Sequence, residues 1–323
     1  MTIHRIACSP ADIGMGGYTF STVTTYFDPT RVTGAFYLNE GDSFTIGHDA
    51  PVGDEMWYHF RYGQTNSSFQ FYDTDTFYVN DGVQNRLATL FIDAGKLRVR
   101  ATGDTSFTSG DINVGANNTY SIDVHVIVND SVTVRLYINS ALYFEGIVAN
   151  TGGRGKPTSA FFLNNYDGSY GYDQYFSEIV IADEDTRGMR VREMRPQSLG
   201  IYQEWDGDVN SMRDEDTATG MSTALPARRV SFGVSNVENV GEGDIINRVV
   251  AQTYAQRGET GIESFQHFFR FRNGDVVDGA SIPVGLYGQF YVEEFVTNPQ
   301  TGLAWSPEDF RSLQTGLVSG PLP

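Results

Sequence analysis

Residues 120–148, YSIDVHVIVNDSVTVRLYINSALYFEGIV, contain two short runs in which apolar side chains alternate with other residues, followed by a third short run, Ala141–Ile147. The alternation from 120 to 128 and from 132 to 138 has the period of a half-buried β-strand. Asn129-Asp130 and Asn139-Ser140 separate the runs, and these residue types favour tight turns. The stretch predicts a three-strand antiparallel meander.

Similar short runs occur on both sides of this meander and predict an all-β chain. In the first half they are Glu55–Tyr62, Phe69–Tyr72, Leu87–Ile92, Lys96–Ala101, Ala160–Leu163 and Tyr175–Ala182. Together with the meander they indicate roughly ten strands, enough for two sheets packed face to face. No strong helix pattern is present before residue 197.

A chain of 323 residues is long enough for about two domains. The strand pattern stops at the acidic turn Asp183-Glu184-Asp185, and an arginine-rich stretch then runs to Pro196. Turn-forming and charged residues without periodicity are typical of the seam between two packed units. We therefore expect one domain over residues 1–197 and a smaller one over residues 198–323.

The second domain is predicted to be a small β-sandwich with a short C-terminal helix. Strands are expected within Asp244–Arg257, Ser264–Arg272 and Tyr287–Val296. Ser306 can cap a helix that begins with Pro307 and carries two carboxylates in its first turn. This helix is expected to be about ten residues long and to close the domain.

The composition argues against several classes of partner. The net charge is −18, with 22 basic against 40 acidic residues, so a nucleic-acid partner is not expected. The single cysteine, Cys8, excludes an intramolecular disulfide. The sequence lacks a long apolar run, so no membrane insertion is expected, and its N-terminus lacks a secretory pattern. We expect a soluble protein made in a cytoplasm.

Several motifs resemble the concanavalin A-like, laminin-G-like jelly roll of structural proteins in tailed-bacteriophage virions. In the first half they are Met56–Arg61, Tyr137–Asn139 and Ser177–Asp183. In the second half they are Gln203–Gly207, Asn298–Trp305 and Leu313–Gly316, which look like the small β-domain that follows the jelly roll. The resemblance implies a two-sheet jelly-roll sandwich followed by a smaller β-domain.

No enzymatic activity is expected, because catalytic patterns are missing. Endoglucanases of this fold alternate glutamates and an aspartate along one strand, whereas the acids here are Asp73-Thr74-Asp75 and Glu178 with Asp183–Asp185, interpreted as solvated turn acids. Gly-x-Ser-x-Gly is absent. The five histidines are scattered, and His59 and His125 are interpreted as strand-face residues.

One loop could bind a ligand, since it combines amide and carboxylate oxygens with aromatic rings. Its candidate residues are Asn164, Asn165, Tyr166, Asp167, Tyr170, Tyr172 and Asp173. They could stack and hydrogen-bond a sugar or hold Ca²⁺, although the spacing matches no known calcium loop. A plain connecting loop is the alternative. No other cofactor is expected.

The resemblance implies a non-enzymatic virion structural protein, on the tail or the capsid exterior, assembled in the host cytoplasm. Its expected partners are other virion proteins, further copies of itself and a host surface glycan. Arg187, Arg190, Arg192 and Arg195 are candidate assembly residues, because arginine is favoured at interfaces; alternatively they balance nearby acids. A glycan-cleaving depolymerase of the same fold and a free carbohydrate-binding module remain alternatives.

Overall fold

The computed structural model describes residues 2–13, 20–65, 74–93, 96–102, 105–107, 117–164, 173–213, 218–235, 239–259 and 261–320. Within these ranges the regular structure consists of β-strands and a few single-turn 3₁₀ helices, which confirms the all-β prediction. Backbone contacts divide the chain into two compact units. Unit 1 comprises Met1–Pro10 and Gly17–Val191, and unit 2 comprises Ala11–Gly16 and Arg192–Pro323.

Unit 1 is a sandwich of two antiparallel sheets. Its strands are β1 (Ile3–Ala7), β2 (Phe20–Ser21), β3 (Ala35–Leu38), β4 (Ser43–Gly47), β5 (Glu55–Gln64), β6 (Thr74–Asp81), β7 (Arg86–Asp93), β8 (Lys96–Ala101), β9 (Thr105–Phe107), β10 (Thr119–Val128), β11 (Ser131–Ile138), β12 (Ala141–Ala149), β13 (Pro157–Leu163) and β14 (Gln174–Ala182). Sheet A has the order β12-β11-β10-β5-β14-β3-β2, with β1 also paired to β14. Sheet B has the order β4-β13-β6-β7-β8-β9.

Aromatic side chains join the two sheets of unit 1. The ring centroid of Phe60 in β5 lies 5.0 Å from that of Phe77 in β6, and Phe162 in β13 lies 5.2 Å from Phe176 in β14. Tilted and edge-to-face pairs at such distances add to the free energy of apolar burial. The jelly-roll sandwich is therefore held by alternate residues of its central strands.

The predicted meander is confirmed as β10, β11 and β12, with Val126 opposite Val134 and Val134 opposite Gly146. The prediction that its first strand is half-buried is incomplete, because β10, β5 and β14 are buried on both faces for most of their length. The predicted strand Phe69–Tyr72 lies outside the described residues.

Unit 2 is a smaller sandwich. Its strands are β15 (Pro196–Gln203), β16 (Arg229–Val234), β17 (Val249–Ala255), β18 (Ser264–Arg270), β19 (Val276–Asp278), β20 (Ile282–Pro283), β21 (Gln289–Phe295) and β22 (Gln314–Ser319). Sheet C has the order β15-β16-β22-β18-β19, with β20 also paired to β18, and sheet D pairs β17 with β21. Phe265 packs against Tyr291 and Phe269 against Phe295 to join the two sheets.

The C-terminal helix begins where the sequence predicts but is much shorter. Ser306 donates from its backbone N–H and its Oγ to the Asp309 carboxylate, at 2.7 and 2.9 Å. The 3₁₀ helix spans Pro307–Phe310 only, and Ser312 then adopts a positive φ of 62°. The predicted length of about ten residues is wrong, because the chain turns there into β22.

No helix in the described part of the chain is long and apolar enough to cross a membrane.

His48 is a buried histidine that makes unit 1 sensitive to acid. Its Nδ1 lies 2.9 Å from the Asp49 carbonyl oxygen, and its Nε2 lies 3.1 Å from the Tyr58 hydroxyl. Burial lowers the pKa of His48 to about 4, since the charged ring loses its hydration. Because the folded-state pKa lies below the unfolded value, protonation favours unfolding.

We expect the contribution of His48 to stability to be complete above about pH 6.5 and to fall by about 2 kcal/mol as the pH decreases to about 4.5. His48→Gln removes this titration, so its unfolding free energy should depend less on pH in that window. Urea unfolding of both proteins at several pH values measures the difference. Parallel pH profiles for the two proteins would contradict the assignment.

Candidate functional site

The structure describes only the two ends of the predicted ligand loop. Asn164 is buried at the end of β13, where its Nδ2 donates to the Leu38 carbonyl oxygen at 3.1 Å. Asp173 is half-buried and directly precedes β14. The other candidates, Asn165, Tyr166, Asp167, Tyr170 and Tyr172, lie outside the described residues. Asn164 therefore has a structural contact within the sandwich, whereas the half-buried Asp173 can contact a ligand.

Asp173 lies at one end of the central strands of sheet A, where β5 ends and β10 and β14 begin. The Thr65 N–H donates to the Asp173 carbonyl oxygen at 3.2 Å, and the Asp173 N–H donates to Thr65 Oγ1 at 3.2 Å. The Asn117 N–H donates to the Gln64 carbonyl oxygen at 2.9 Å. These bonds hold the chain segments next to Asp173 in fixed positions.

Three tyrosines from separate segments meet at Asp173. The rings of Tyr26 and Tyr175 are stacked 3.7 Å apart, and Tyr37 lies 5.2 Å from Tyr175. The Tyr37 hydroxyl donates to Asp173 Oδ1 at 2.9 Å, and the Tyr26 hydroxyl donates to Asn117 Oδ1 at 2.7 Å. We call Tyr26, Tyr37, Asp173 and Tyr175 the tyrosine rim.

Gly63 of β5 makes room for this stack. A Cβ at this position would lie 2.7 Å from Cδ1 of Tyr26 and 3.3 Å from the Asn118 carbonyl oxygen. Gly63 is paired with Tyr175 of β14. Because Gly63 has no side chain, the Tyr26 ring can lie directly over this strand and stack on Tyr175. The strand sequence alone gives no reason for this glycine.

The tyrosine hydroxyls remain protonated near neutral pH. Burial, followed by the hydrogen bond to Asp173 and its negative charge, raises the pKa of Tyr37 to about 12. Burial and the Asp173 charge also raise the pKa of Tyr26 and of Tyr175. Tyr26 and Tyr175 are buried, with 4% and 6% of their surface exposed, so the accessible groups of the rim are the half-buried Tyr37 ring and the Asp173 carboxylate. An aromatic ring beside a carboxylate can bind a polyhydroxylated ring.

The sequence identified one rim residue, Asp173, and missed the three tyrosines. Tyr26 and Tyr37 are 147 and 136 positions before Asp173 in the chain. Only the pairing of β14 with β3 and β5 brings these positions together. No local motif could have shown this proximity.

A buried polar network lies on the face of sheet A that points away from sheet B. His59 Nδ1 is 2.8 Å from Asp123 Oδ1, and the Thr186 hydroxyl donates to the same oxygen at 2.7 Å. All three residues are fully buried. Because Thr186 comes from the segment after β14, this segment covers the network and excludes a substrate from it.

Glu178 belongs to the same face and corrects an interpretation of the sequence. The sequence predicts a solvated turn acid at this position, but Glu178 lies inside β14, is fully buried and has a positive φ of 52°. The register of β14 against β5 shifts between Ser177 and Val180, which places the carboxylate 3.4 Å from Arg61 Nη1. The bulge and the ion pair explain an acid in this position.

His125 is also a strand residue with structural contacts. Its ring stacks on Trp57 at 3.9 Å, and its Nε2 lies 2.7 Å from Glu55 Oε2. Burial lowers the pKa of His125, while the hydrogen bond to Glu55 opposes this shift. The ring packs between strands and does not face an open groove.

The candidate assembly arginines of unit 1 have partners within the unit. Arg187 forms an ion pair of 2.5 Å with Asp185, and its guanidinium lies 4.6 Å from the centroid of the Tyr137 ring. Arg190 donates to Ser121 Oγ at 3.2 Å. Both side chains fasten the segment after β14 onto sheet A, although both residues are also exposed.

The two candidate arginines of unit 2 also pair with acids. Arg192 Nη2 lies 3.4 Å from Asp244 Oδ2, and Arg195 Nε lies 2.7 Å from Glu193 Oε1. These pairs agree with the alternative that the arginines balance nearby acids. They do not test an assembly role.

The described ends of the loop provide few calcium ligands. Calcium in proteins takes six to eight oxygen ligands. Asp173 supplies a carboxylate, but one of its oxygens already accepts from Tyr37. Asn164, the other described member of the predicted calcium set, is fully buried and donates to the Leu38 carbonyl oxygen. Asn165, Tyr166, Asp167, Tyr170 and Tyr172 lie outside the described residues.

No family model and no curated protein matches this chain. Among solved structures it is similar to the receptor-binding domain of botulinum neurotoxin D (12% identity, TM-score 0.41), over 56% of this chain and 44% of the toxin domain. It is also similar to an endo-β-1,4-glucuronan lyase from the fungus Trichoderma reesei (12%, 0.39; 54% and 94%) and to the cellulose-induced protein Cip1 (12%, 0.41; 56% and 92%). The chain thus matches less than half of the toxin domain, and a likeness at this level supports no statement about activity.

Proposed function

We propose that this chain is a non-enzymatic structural protein of a tailed-bacteriophage virion, present in several copies on the tail or the capsid exterior. It contacts other virion proteins and further copies of itself. The observation that carries the proposal is the segment Asn298–Trp305 of unit 2. Its sequence resembles the C-terminal part of such virion proteins. The side chain of Leu303 in this segment is exposed.

The segment is braced from within. Asn298 is fully buried, its Oδ1 accepts from the Gln300 N–H at 2.8 Å, and its N–H donates to the Leu303 carbonyl oxygen at 2.8 Å. The Gln300 side chain donates to Asp275 at 2.8 Å. A braced segment loses little conformational entropy on binding, so the 69% exposed Leu303 is well placed for an assembly contact.

The buried acids of sheet A support the non-enzymatic assignment. A retaining glycosidase needs two carboxyl groups about 5 Å apart beside an open groove. Asp123 is bonded to His59 and Thr186, and Glu178 is paired with Arg61. These carboxylates are buried and already engaged within the unit, which disfavours the depolymerase alternative at this face.

The tyrosine rim adds a second role, contact with a host surface glycan, and it also favours the alternative of a free carbohydrate-binding module. Stacking on aromatic rings and hydrogen bonds to a carboxylate are general means of binding sugars. Many copies on one particle would convert weak single contacts into strong attachment.

We expect Leu303→Asp to reduce incorporation of the chain into particles by about tenfold, because a charge would have to be desolvated at an apolar contact. Quantitative mass spectrometry of purified particles, assembled with the variant as the only copy, measures the occupancy. Leu225→Asp is the matched control, since Leu225 is a 53% exposed leucine elsewhere in unit 2.

Electron cryomicroscopy of the source particle tests the proposal itself. Repeated, symmetry-related density for both units on the tail or shell is the expected result. Particles that lack the chain would overturn the virion role. Equal occupancy of the Leu303→Asp and Leu225→Asp variants would remove Leu303 from the assembly contact.

A further inference from the structure

The charge around the tyrosine rim restricts the class of sugar that it can accept. The rim contains the carboxylate of Asp173, whose Oδ1 accepts from the Tyr37 hydroxyl at 2.9 Å. An anionic sugar would therefore approach like charge, and like charges disfavour binding most where solvent is partly excluded.

The nearest arginine along β5 does not offset this charge. Arg61 lies two residues before Gly63, but its Nη1 is 3.4 Å from Glu178 Oε1 and its Nη2 donates to Thr119 Oγ1 at 2.9 Å. Glu178 is fully buried beside it. The guanidinium is thus committed to a partner within sheet A and does not serve as a counter-charge at the rim.

The rim also has an open acceptor. Asp173 Oδ1 accepts from Tyr37, whereas Oδ2 accepts no hydrogen bond from the described residues. The Tyr37 ring is half-buried, so part of it remains accessible. A sugar ring carries hydroxyl donors on its edge and C–H groups on its face. The hydroxyls can donate to the carboxylate oxygen while the C–H groups pack on the neighbouring aromatic ring.

We propose that the tyrosine rim binds an uncharged sugar residue of a host surface glycan and discriminates against uronate, sialylated and sulfated sugars. Asp173 accepts hydrogen bonds from sugar hydroxyls, and Tyr37 packs against the sugar. This inference rests on the glycan contact in the proposed function, but it does not depend on where the chain sits in a particle.

The test displays the biotinylated full chain on streptavidin and probes an array that carries neutral oligosaccharides, each beside its sialylated, uronate or sulfated counterpart. We expect binding to at least one neutral glycan, and about tenfold weaker binding to its charged counterpart.

Asp173→Asn should reduce the difference in affinity between neutral and charged glycans, because it removes the negative charge and keeps an oxygen acceptor. Tyr37→Phe should weaken binding to the neutral glycan, because Asp173 loses its hydrogen-bond partner. Tyr287→Ala changes an 86% exposed tyrosine of unit 2 and should have no effect.

Preference for the charged member of a pair would overturn the inference, and so would binding that neither rim variant changes. Absence of binding to every glycan, with the chain visible on particles, would overturn the inference and leave the virion role standing. Selective binding to neutral glycans by a chain that is absent from particles would uphold the inference and overturn the virion role.

Discussion

Asp123→Ala is expected to lower the free energy of unfolding of unit 1 by about 3–5 kcal/mol. The substitution removes the oxygen that accepts from both His59 and Thr186, and it leaves two buried donors without a partner. It also releases the segment after β14 from the face of sheet A. Urea unfolding followed by the fluorescence of Trp57, the tryptophan of unit 1, measures the loss.

Asp130→Ala is the matched control for this change. Asp130 lies in the turn between β10 and β11, is exposed, and loses the same charge on substitution. We expect a change within about 0.5 kcal/mol there, as for most surface positions. Asp123→Asn should fall between the two, since one acceptor oxygen remains. Similar unfolding curves for Asp123→Ala and Asp130→Ala would show that the network does not stabilise the fold.

Gly316→Ala is expected to destabilise unit 2 by about 3 kcal/mol. Gly316 lies in β22, opposite Ser231 of β16 and Phe268 of β18. A Cβ there would lie well inside van der Waals contact with the Val230 carbonyl oxygen and the Phe268 ring. The backbone of a central strand cannot move away without breaking its pairing on both sides, so the strain must be distributed over the sheet.

Hydrogen exchange read by mass spectrometry locates this effect, because peptides from unit 2 should exchange faster while those from unit 1 do not. Gly243→Ala is the control, since a Cβ at Gly243 meets nothing within 4 Å. It should leave exchange unchanged or slow it slightly, because alanine restricts the unfolded chain. Equal protection in the two variants would mean that β22 accommodates a side chain at Gly316.

The two sandwiches place their buried polar groups differently. In unit 1 the network around Asp123 lies outside the aromatic core and is covered by a segment. In unit 2 a polar bridge lies between the sheets, where His267 Nδ1 is 2.9 Å from Glu293 Oε2 and Nε2 is 2.9 Å from Thr253 Oγ1. The His267 bridge, in which both ring nitrogens have partners on the facing sheet, fixes one arrangement of the two sheets of unit 2.

The parts of the fold that the sequence predicted are those with a strong local signal. Alternation at period two identified β10 and β11, and turn residues marked their ends and the start of β12. Ser306, Pro307 and the two carboxylates of the first turn identified the start of the last helix. The length of that helix was wrong because helix propensity competes there with the pairing of β22 between β16 and β18, which is a tertiary effect.

The candidate site was less accessible to sequence reasoning. Asp173 stood out because its loop is rich in polar oxygens, whereas Tyr175 belonged to a predicted strand and no pattern in the sequence pointed to Tyr37. Glu178 looked like part of an acidic turn, although a bulge and Arg61 make it a buried strand residue. In each case the deciding partner lies far away in the chain.

The sequence by itself determined the all-β class, the meander and the turns, because these depend on side-chain alternation and backbone preferences within a few residues. Only the tertiary structure decided which strands became buried on both faces, which acids lost contact with solvent and which tyrosines gathered around Asp173. Those outcomes depend on sheet order and register, and strand pairing across more than a hundred residues leaves no local pattern in the sequence.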